Sequence, residues 1–340
     1  MISFARFAKA SLARYAIGLA IIALTFFFLG RSLASNWSEL RSEELDIQPA
    51  LLIVSGLLLA GDILMRTVVW GDLLGYFAGP ARPAYRQLVK VFLYSWLGRY
   101  IPGKVAYLVG RFYLGRSAGA PTSALVGSIA YENVLILLTA MMLSALLLVP
   151  SLAVESESFW AYLALPGVAI AGVAVLYPPV LRRLLHLAMR ITGRDLPDGD
   201  WILPPARIAR TVVLSTVVFC CSGLGFYLLV ASLTDYPLRY LPLAAGTMTL
   251  GAVVGTVSIL TPAGLGVREG VLVGILQFTM PVELAVLVSV VARIWATVVD
   301  LSLVALCFGF DYVSGDRMIF SAFGSRNAAA PAPEPRSLLE

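Results

Sequence analysis

Two short stretches interrupt long apolar segments of this chain: Arg99-Tyr-Ile-Pro-Gly-Lys104 and Ile259-Leu-Thr-Pro-Ala-Gly-Leu-Gly-Val-Arg-Glu269. Each combines proline, glycine and charge where the flanking residues are hydrophobic. Inside a membrane, a broken helix is tolerated only where its backbone is buried in protein or lines a cavity, and a charge there needs a partner. The two stretches therefore mark the predicted working centre of the protein.

The composition is that of an integral membrane protein. Hydrophobic residues make up 59% of the 340 positions and charged residues 13%, whereas charged residues are about a quarter of a soluble domain. A hydrocarbon layer of about 30 Å needs about 20 apolar residues per helix. The apolar runs predict six spans, near residues 16–34, 50–70, 122–149, 158–178, 210–233 and 284–309. The first run is interpreted as an uncleaved span rather than a signal peptide, because it has the full length.

Several classes of site are excluded. The net charge of +5 comes from basic residues in loops on one side of the spans, which is the positive-inside pattern rather than a nucleic-acid-binding face. The three cysteines lie within predicted spans and the single histidine lies in a basic loop, so we expect no disulfide, metal site or cofactor. No nucleotide-binding loop is present, so ATP is not expected as the direct energy source.

Charge also predicts the topology. The acidic segment 35–49 is assigned to the outside and the arginine-rich segment 180–210 to the inside, with both termini cytoplasmic. The segment 85–115 must then enter and leave from one side. Its arms of about 14 residues, about 21 Å as helix, predict a re-entrant hairpin with its tip at Pro102 and Gly103. The segment 241–280 must likewise enter and leave from one side of the membrane, but its arms of about 18 residues leave two full crossings possible.

The expected architecture is an all-α polytopic membrane protein with about six full spans and two broken re-entrant hairpins, arranged as an inverted repeat. Residues 1–155 form the first half, 156–312 the second, and 313–340 a disordered cytoplasmic tail rich in alanine and proline. About thirty residues separate Pro102 from Glu132, and also Pro262 from Arg293. Paired broken segments in inverted halves indicate a transporter substrate site near the midplane of the membrane.

A helix that restarts after a break directs free N–H groups and a positive dipole into the interior, which suits a phosphate. The candidate substrate-binding residues are Arg99, Lys104, Glu132, Arg268, Glu269 and Arg293. The hairpin breaks are assigned to Pro102, Gly103, Pro262, Gly264 and Gly266.

Other residues have plainer interpretations. Arg111 and Arg116 are expected at the cytoplasmic edge, and Asp300 as a buried hydrogen-bond partner without a known role. Asp62 and Arg66 either neutralise each other, four residues apart, or line the cavity. Glu132 and Arg293 have a structural alternative, which is to pair with each other. Three glycines in 246–255, Gly246, Gly251 and Gly255, indicate close helix packing.

The segments 101–111 and 261–270, followed by the span that carries Arg293, resemble the signature segments of the lysylphosphatidylglycerol synthase transmembrane family. This is the flippase-like domain of multiple peptide resistance factors. The resemblance extends over residues 10–310, approximately. It implies movement of a lipid, such as an anionic phospholipid or a polyprenyl phosphate, across a bacterial or archaeal inner membrane. Those resistance factors carry an aminoacyl-transferase domain after the membrane region, which is absent from this sequence, so an enzyme is not expected.

On this hypothesis, Arg268, Lys104 and Arg99 hold a lipid phosphate in a cavity between the hairpin tips, while Glu132 and Glu269 balance charge or carry a proton. Two alternatives remain open. One is a membrane glycosyltransferase that uses the acidic outer loop, with Glu43, Glu44 and Asp46. The other is a scaffold for a lipid enzyme, in which the charges inside the membrane tolerate neutral substitution.

Overall fold

Eight α-helices form the part of the chain that the structure describes, a computed structural model covering residues 48–100, 105–156, 203–258 and 266–314 with positions 180 and 183. They are α1 (Pro49–Ala78), α2 (Tyr85–Trp96), α3 (Val105–Ser117), α4 (Thr122–Ser156), α5 (Pro205–Leu233), α6 (Leu241–Val257), α7 (Val267–Leu276) and α8 (Val282–Ser314). Short 3₁₀ turns lie at Gly79–Ala81, Leu97–Tyr100 and Leu238–Tyr240. These residues contain no β-strand, so the expected all-α class is confirmed for them.

Four of the six predicted spans are present as helices long and apolar enough to cross a membrane, namely α1, α4, α5 and α8. The other two, 16–34 and 158–178, lie outside the described residues, as does most of the predicted tail. A fifth segment, Leu238–Val257, also has the required length and hydropathy. It is the first arm of the second hairpin.

The helices extend beyond the apolar runs that predicted them. Helix α1 continues past Trp70 to Ala78 and ends at the Gly79-Pro80 pair, where Gly79 leaves the helical conformation. Helix α4 passes through Pro150 and ends at Ser156. Apolar composition locates a span, but helix-breaking residues and caps decide where the helix ends.

The two hairpins differ in the length of their second arms. Helices α2 and α3 have 12 and 13 residues, so each is about 18–20 Å long and shorter than the hydrocarbon layer. Helix α6 has 17 residues, but α7 has only 10, which is about 15 Å. The expectation of two similar arms in 241–280 is wrong for α7, and α7 is too short to cross the membrane as a helix.

Small residues bring the helices together. In a bilayer, the hydrophobic effect does not drive helix association, so close packing and hydrogen bonds between helices have to do so. The Ser55 hydroxyl of α1 donates to the Gly225 carbonyl oxygen of α5 at 2.7 Å. A Cβ on Gly223 would lie 2.6 Å from the Cβ of Ala245, and one on Gly246 would lie 2.8 Å from Cγ of Leu148. The predicted packing role of the glycine-rich stretch is confirmed at Gly246 and Gly251.

The contacts between helices have a regular pattern. If α1–α4 are exchanged with α5–α8 in order, each pair of helices in extensive contact has a counterpart pair that also touches, although the contacts α2–α8, α1–α2 and α5–α8 are much smaller than their counterparts. Helix α4 packs on α6, and α8 packs on α2; α1 packs on α4, and α5 packs on α8. Helix α3 packs on α4 as α7 packs on α8, and α1 packs directly on α5. The two sets of four helices therefore share one packing scheme.

We predict that Gly223→Ala destabilises the protein by about 1–3 kcal/mol, because the added methyl group would lie 2.9 Å from Cα of Ala245. Gly61→Ala is the matched control, since nothing lies within 4 Å of its Cβ position. Thermal unfolding midpoints of both variants in one detergent, followed by tryptophan fluorescence, measure the difference. Equal midpoints for the two variants would contradict this packing.

Candidate functional site

The turn of the first hairpin is held against its own second arm by Gly98. A Cβ at this position would lie 2.5 Å from the backbone nitrogen of Tyr107 on α3, so only glycine allows the 3₁₀ turn to approach α3 this closely. The approach fixes the two residues that follow, Arg99 and Tyr100. The predicted tip residues Pro102, Gly103 and Lys104 lie outside the described residues.

Asp300 of α8 is the acceptor for this turn. Its carboxylate accepts a hydrogen bond from Trp96 Nε1 at 3.0 Å and another from the Tyr100 hydroxyl. Arg99 Nη1 lies 3.5 Å from the same carboxylate. The sequence interpretation as a buried hydrogen-bond partner is confirmed, but it missed that Asp300 joins the first hairpin to the last span. The available signal was a single carboxylate inside an apolar run.

Glu269 caps the helix on which it lies. Helix α7 starts after Gly266, whose φ of 87° is a left-handed conformation that glycine adopts without strain. The Gly266 N–H donates to Glu269 Oε2 at 2.7 Å, and Glu269 Oε1 lies 3.8 Å from Arg293 Nη1 of α8. The helix start was predicted to present its positive dipole to a ligand, but a carboxylate of the same chain already occupies part of that position. Pro262 and Gly264 lie outside the described residues.

Arg268 points in another direction and contacts α6. The residue is 8% exposed, and its Nη2 lies 3.0 Å from the sulfur of Met248. Gly251 makes room for it, since a Cβ there would lie 3.2 Å from Cγ of Arg268. Glu269, Arg293, Arg99 and Asp300 are within electrostatic range, and Glu269 has the largest effect of the four. Among the described residues, however, no carboxylate comes within 4 Å of the Arg268 guanidinium.

These side chains form one group, which we call the second cluster: Arg99, Arg268, Glu269, Arg293 and Asp300. The two hairpins and α8 contribute to it, so residues distant in sequence are brought together. Three arginines and two carboxylates leave a formal charge of +1. The structure thus unites four of the six predicted site residues.

Glu132 lies elsewhere, in a first cluster made of Asp62, Arg66, Arg111 and Glu132. It is 2% exposed and forms an ion pair with Arg111. Asp62 and Arg66 form a two-bonded pair of 3.0 and 3.1 Å, as the self-neutralising interpretation predicted. Glu132 pairs with Arg111 of α3, and Arg293 pairs with Glu269 of α7. The alternative pairing of Glu132 with Arg293 is therefore wrong.

The predicted position of Arg111 at the membrane edge is also wrong. Its side chain is fully buried, 0% exposed, and the guanidinium lies against three aromatic rings: Phe92 at 4.1 Å, Tyr107 at 4.6 Å and Trp70 at 5.2 Å. Such rings stabilise a desolvated cation. Its Nε and Nη2 have no hydrogen-bond partner among the described residues. Arg116 is exposed at the end of α3, in keeping with a surface role.

The two clusters correspond in position and differ in charge. In the first, Arg111 of α3 pairs with Glu132 of α4; in the second, Glu269 of α7 pairs with Arg293 of α8. The sign of each partner is reversed. Two arginines and two carboxylates make the first cluster formally neutral. Trp96 contacts both, with its ring 5.8 Å from the Arg66 guanidinium and 4.6 Å from that of Arg99.

A comparison with protein families now identifies the chain. The profile described as lysylphosphatidylglycerol synthase TM region matches residues 15–303. The chain belongs to this family. All residues of both clusters lie within the family region. A comparison with curated proteins finds no match.

We predict that Glu132→Gln destabilises the protein by about 3–5 kcal/mol, because it leaves the buried Arg111 cation without its counter-charge. Replacing both residues, as Arg111→Leu with Glu132→Leu, should restore most of the loss, since no buried charge remains. Thermal unfolding midpoints in detergent measure both effects.

The control is Asp72→Asn, which removes a carboxylate paired with Arg207 at 3.3 Å and with the exposed Arg210 at 3.0 Å. A pair this accessible contributes about 0–1 kcal/mol. A loss in Glu132→Gln no larger than in this control would show that the Arg111 pair is not a structural element.

Proposed function

We propose that this member of the family moves a lipid with an anionic head group from one leaflet to the other, and that the second cluster binds the phosphate. Membership of the family described as lysylphosphatidylglycerol synthase TM region supports a lipid-related role in the membrane. We place the protein in a bacterial or archaeal inner membrane, with both termini cytoplasmic, and assign it no catalytic role.

The observation that carries this proposal is the state of Arg268. A cation that is removed from water is strongly unfavourable unless an opposite charge lies close to it. Glu269 and Asp300 act on Arg268 electrostatically, but among the described residues no carboxylate forms a direct ion pair with it. The cluster around it has an excess of one positive charge. A bound phosphate would supply the missing negative charge, and a guanidinium can hold it with two parallel hydrogen bonds.

The geometry gives each neighbour a role in this proposal. Arg99 and Arg293 are each paired with one carboxylate, at 3.5 and 3.8 Å, distances that leave the pairs loose enough to rearrange around a ligand. Asp300 positions Arg99 through the turn that it holds. The first cluster occupies the corresponding position but is formally neutral, so it has no excess positive charge for an anion. We therefore assign the anion site to the second cluster alone.

The matching helix pairs of α1–α4 and α5–α8 support a structural repeat, and the loop charges predict that its halves are inverted. In transporters built this way, one repeat rocks against the other around a central site and exposes that site to alternate sides. The short arms α2, α3 and α7 support re-entrant hairpins that end inside the membrane. In this mechanism the head group travels with the second cluster, while the acyl or prenyl chain remains in the bilayer.

We predict that Arg268→Ala lowers the rate of lipid crossing by about tenfold to a hundredfold, the loss expected for a hydrogen bond to a charged group. Arg268→Lys should retain part of the rate, because it keeps the charge but loses the two-bonded geometry. The measurement is head-group accessibility in proteoliposomes that contain fluorescent phosphatidylglycerol, aminoacyl-phosphatidylglycerol or a polyprenyl phosphate.

The control is Arg239→Ala, which removes an exposed arginine stacked on the adjacent Tyr240 at 4.8 Å. Its rate should equal that of the unmodified protein. If no lipid crosses under any imposed proton or sodium gradient, transport is wrong and the scaffold or glycosyltransferase alternative replaces it. A rate unchanged in Arg268→Ala would remove the second cluster from the proposal.

A further inference from the structure

A groove of about 300 Å³ runs between α2 and α8, and no residue of either cluster lines it. Apolar side chains form most of its walls, with two basic residues at one end; its lining is Arg86, Val89, Lys90, Leu93, Leu303, Leu306, Cys307 and Phe310. Leu306 is 71% exposed, so this wall faces the surroundings of the helices. In a membrane protein, an apolar groove on such a face is open to lipid chains.

The basic end of the groove is built from both helices. Arg86 is exposed, and its guanidinium lies 4.8 Å from the ring of Phe310. One turn further along α2, Lys90 is buried and forms an ion pair with Asp311. The Tyr94 hydroxyl donates to the same carboxylate at 2.6 Å. In the predicted orientation this end lies at the cytoplasmic leaflet.

A polar seam leads from this end to the second cluster. Asp311 and Asp300 are eleven residues apart on α8, which is about three helical turns and places them on one face, about 16 Å apart. The Asp311 carboxylate forms an ion pair with Lys90 and accepts a hydrogen bond from Tyr94, both on α2. The Asp300 carboxylate accepts hydrogen bonds from Trp96 and Tyr100 and forms an ion pair with Arg99. The α2–α8 interface therefore carries hydrogen-bonding groups along its length, and its inner end is Arg99.

The equivalent interface in the other half is built differently. Helices α4 and α6 correspond to α8 and α2 in the exchange of halves. There, a Cβ on Gly246 would lie 2.8 Å from Leu148 and 3.0 Å from Leu147, so the two backbones are closely packed. Tight small-residue packing favours a fixed contact, whereas ion pairs and hydrogen bonds can change partners as a head group passes. The groove and the seam occur together on the α2–α8 side.

We propose that the α2–α8 groove is a lateral portal through which a membrane lipid with a phosphate head group reaches the second cluster. The acyl or prenyl chain lies against Val89, Leu93, Leu303 and Leu306, and the phosphate first meets Arg86. We assign a lipid as the occupant because the walls are apolar and partly exposed, and an anionic one because exposed Arg86 lies at the mouth. Delivery of the lipid to the second cluster rests on the proposed function. Binding of an anionic lipid at Arg86 does not depend on it.

The test is photo-crosslinking of the full chain in phosphatidylcholine vesicles that contain a small fraction of phosphatidylglycerol with a photoreactive acyl chain. An otherwise identical phosphatidylcholine probe gives the background. Labelled peptides are mapped by mass spectrometry. We expect the anionic probe to label 86–93 and 303–310 about fivefold more than the zwitterionic probe, the factor that one basic residue contributes near an anionic lipid.

Two variants with matched controls test the mouth and the wall. Arg86→Gln should remove the preference for the anionic probe, whereas Arg116→Gln, which changes another exposed arginine, should not. Leu306→Trp fills the groove and should reduce labelling by the anionic probe to the background level. Leu301→Trp adds the same ring at a position of α8 that is 52% exposed and does not line the groove, and it should leave labelling unchanged.

The outcomes separate this portal from the transport proposal. Equal labelling by both probes, or labelling that Leu306→Trp does not reduce, would overturn the portal, even if lipid crosses the membrane in the flux assay. Selective labelling that persists in Arg268→Ala supports the portal, and it does so whether or not that variant still transports. Transport that is slowed by Leu306→Trp and not by Leu301→Trp would further support the portal as the route to the second cluster.

Discussion

A charged side chain buried in a membrane protein has to find an opposite charge, and this requirement organises the structure around its two clusters. Glu132 compensates Arg111, and Glu269 faces Arg293. Asp300 forms an ion pair with Arg99 and accepts hydrogen bonds from Trp96 and Tyr100, all in the first hairpin. Because these partners lie on different helices, each pair also fixes how two helices pack. These pairs therefore hold the short helices α2, α3 and α7 against the long helices α4 and α8.

The two halves share a packing scheme but differ in chemistry. Each places an ion pair between the second hairpin arm and the closing span, yet the acid and the base exchange positions between the halves. The first cluster is formally neutral and is partly enclosed by aromatic rings. The second has one positive charge in excess, at Arg268. This difference in charge is the reason why our proposal assigns the anion to the second cluster alone.

Much of this architecture was predictable from the chain. Long apolar runs predicted α1, α4, α5 and α8, because burying a backbone in lipid requires helices of about 20 residues or more. Proline and glycine predicted interruptions between α2 and α3 and between α6 and α7, where the described helices do end and restart, although the predicted break residues other than Gly266 lie outside the described residues. Charges in the loops predicted that both segments return to the side they enter. The arm lengths of the second hairpin were not predictable, because the N-terminus of α7 depends on the left-handed Gly266 and on Glu269 folding back to cap the helix. Neither the conformation of Gly266 nor the cap formed by Glu269 can be deduced from composition.

The sequence by itself determined the class of the protein, the positions of the four predicted spans that the structure describes, the family resemblance and the identity of most residues of the second cluster. Only the tertiary structure decided which charges meet. It paired Glu132 with Arg111 instead of Arg293, buried an arginine expected at the membrane edge, and gave Asp300 three partners from the first hairpin. The physical reason is that hydropathy and spacing act along the chain, whereas ion pairing depends on distance in space, which helix packing sets.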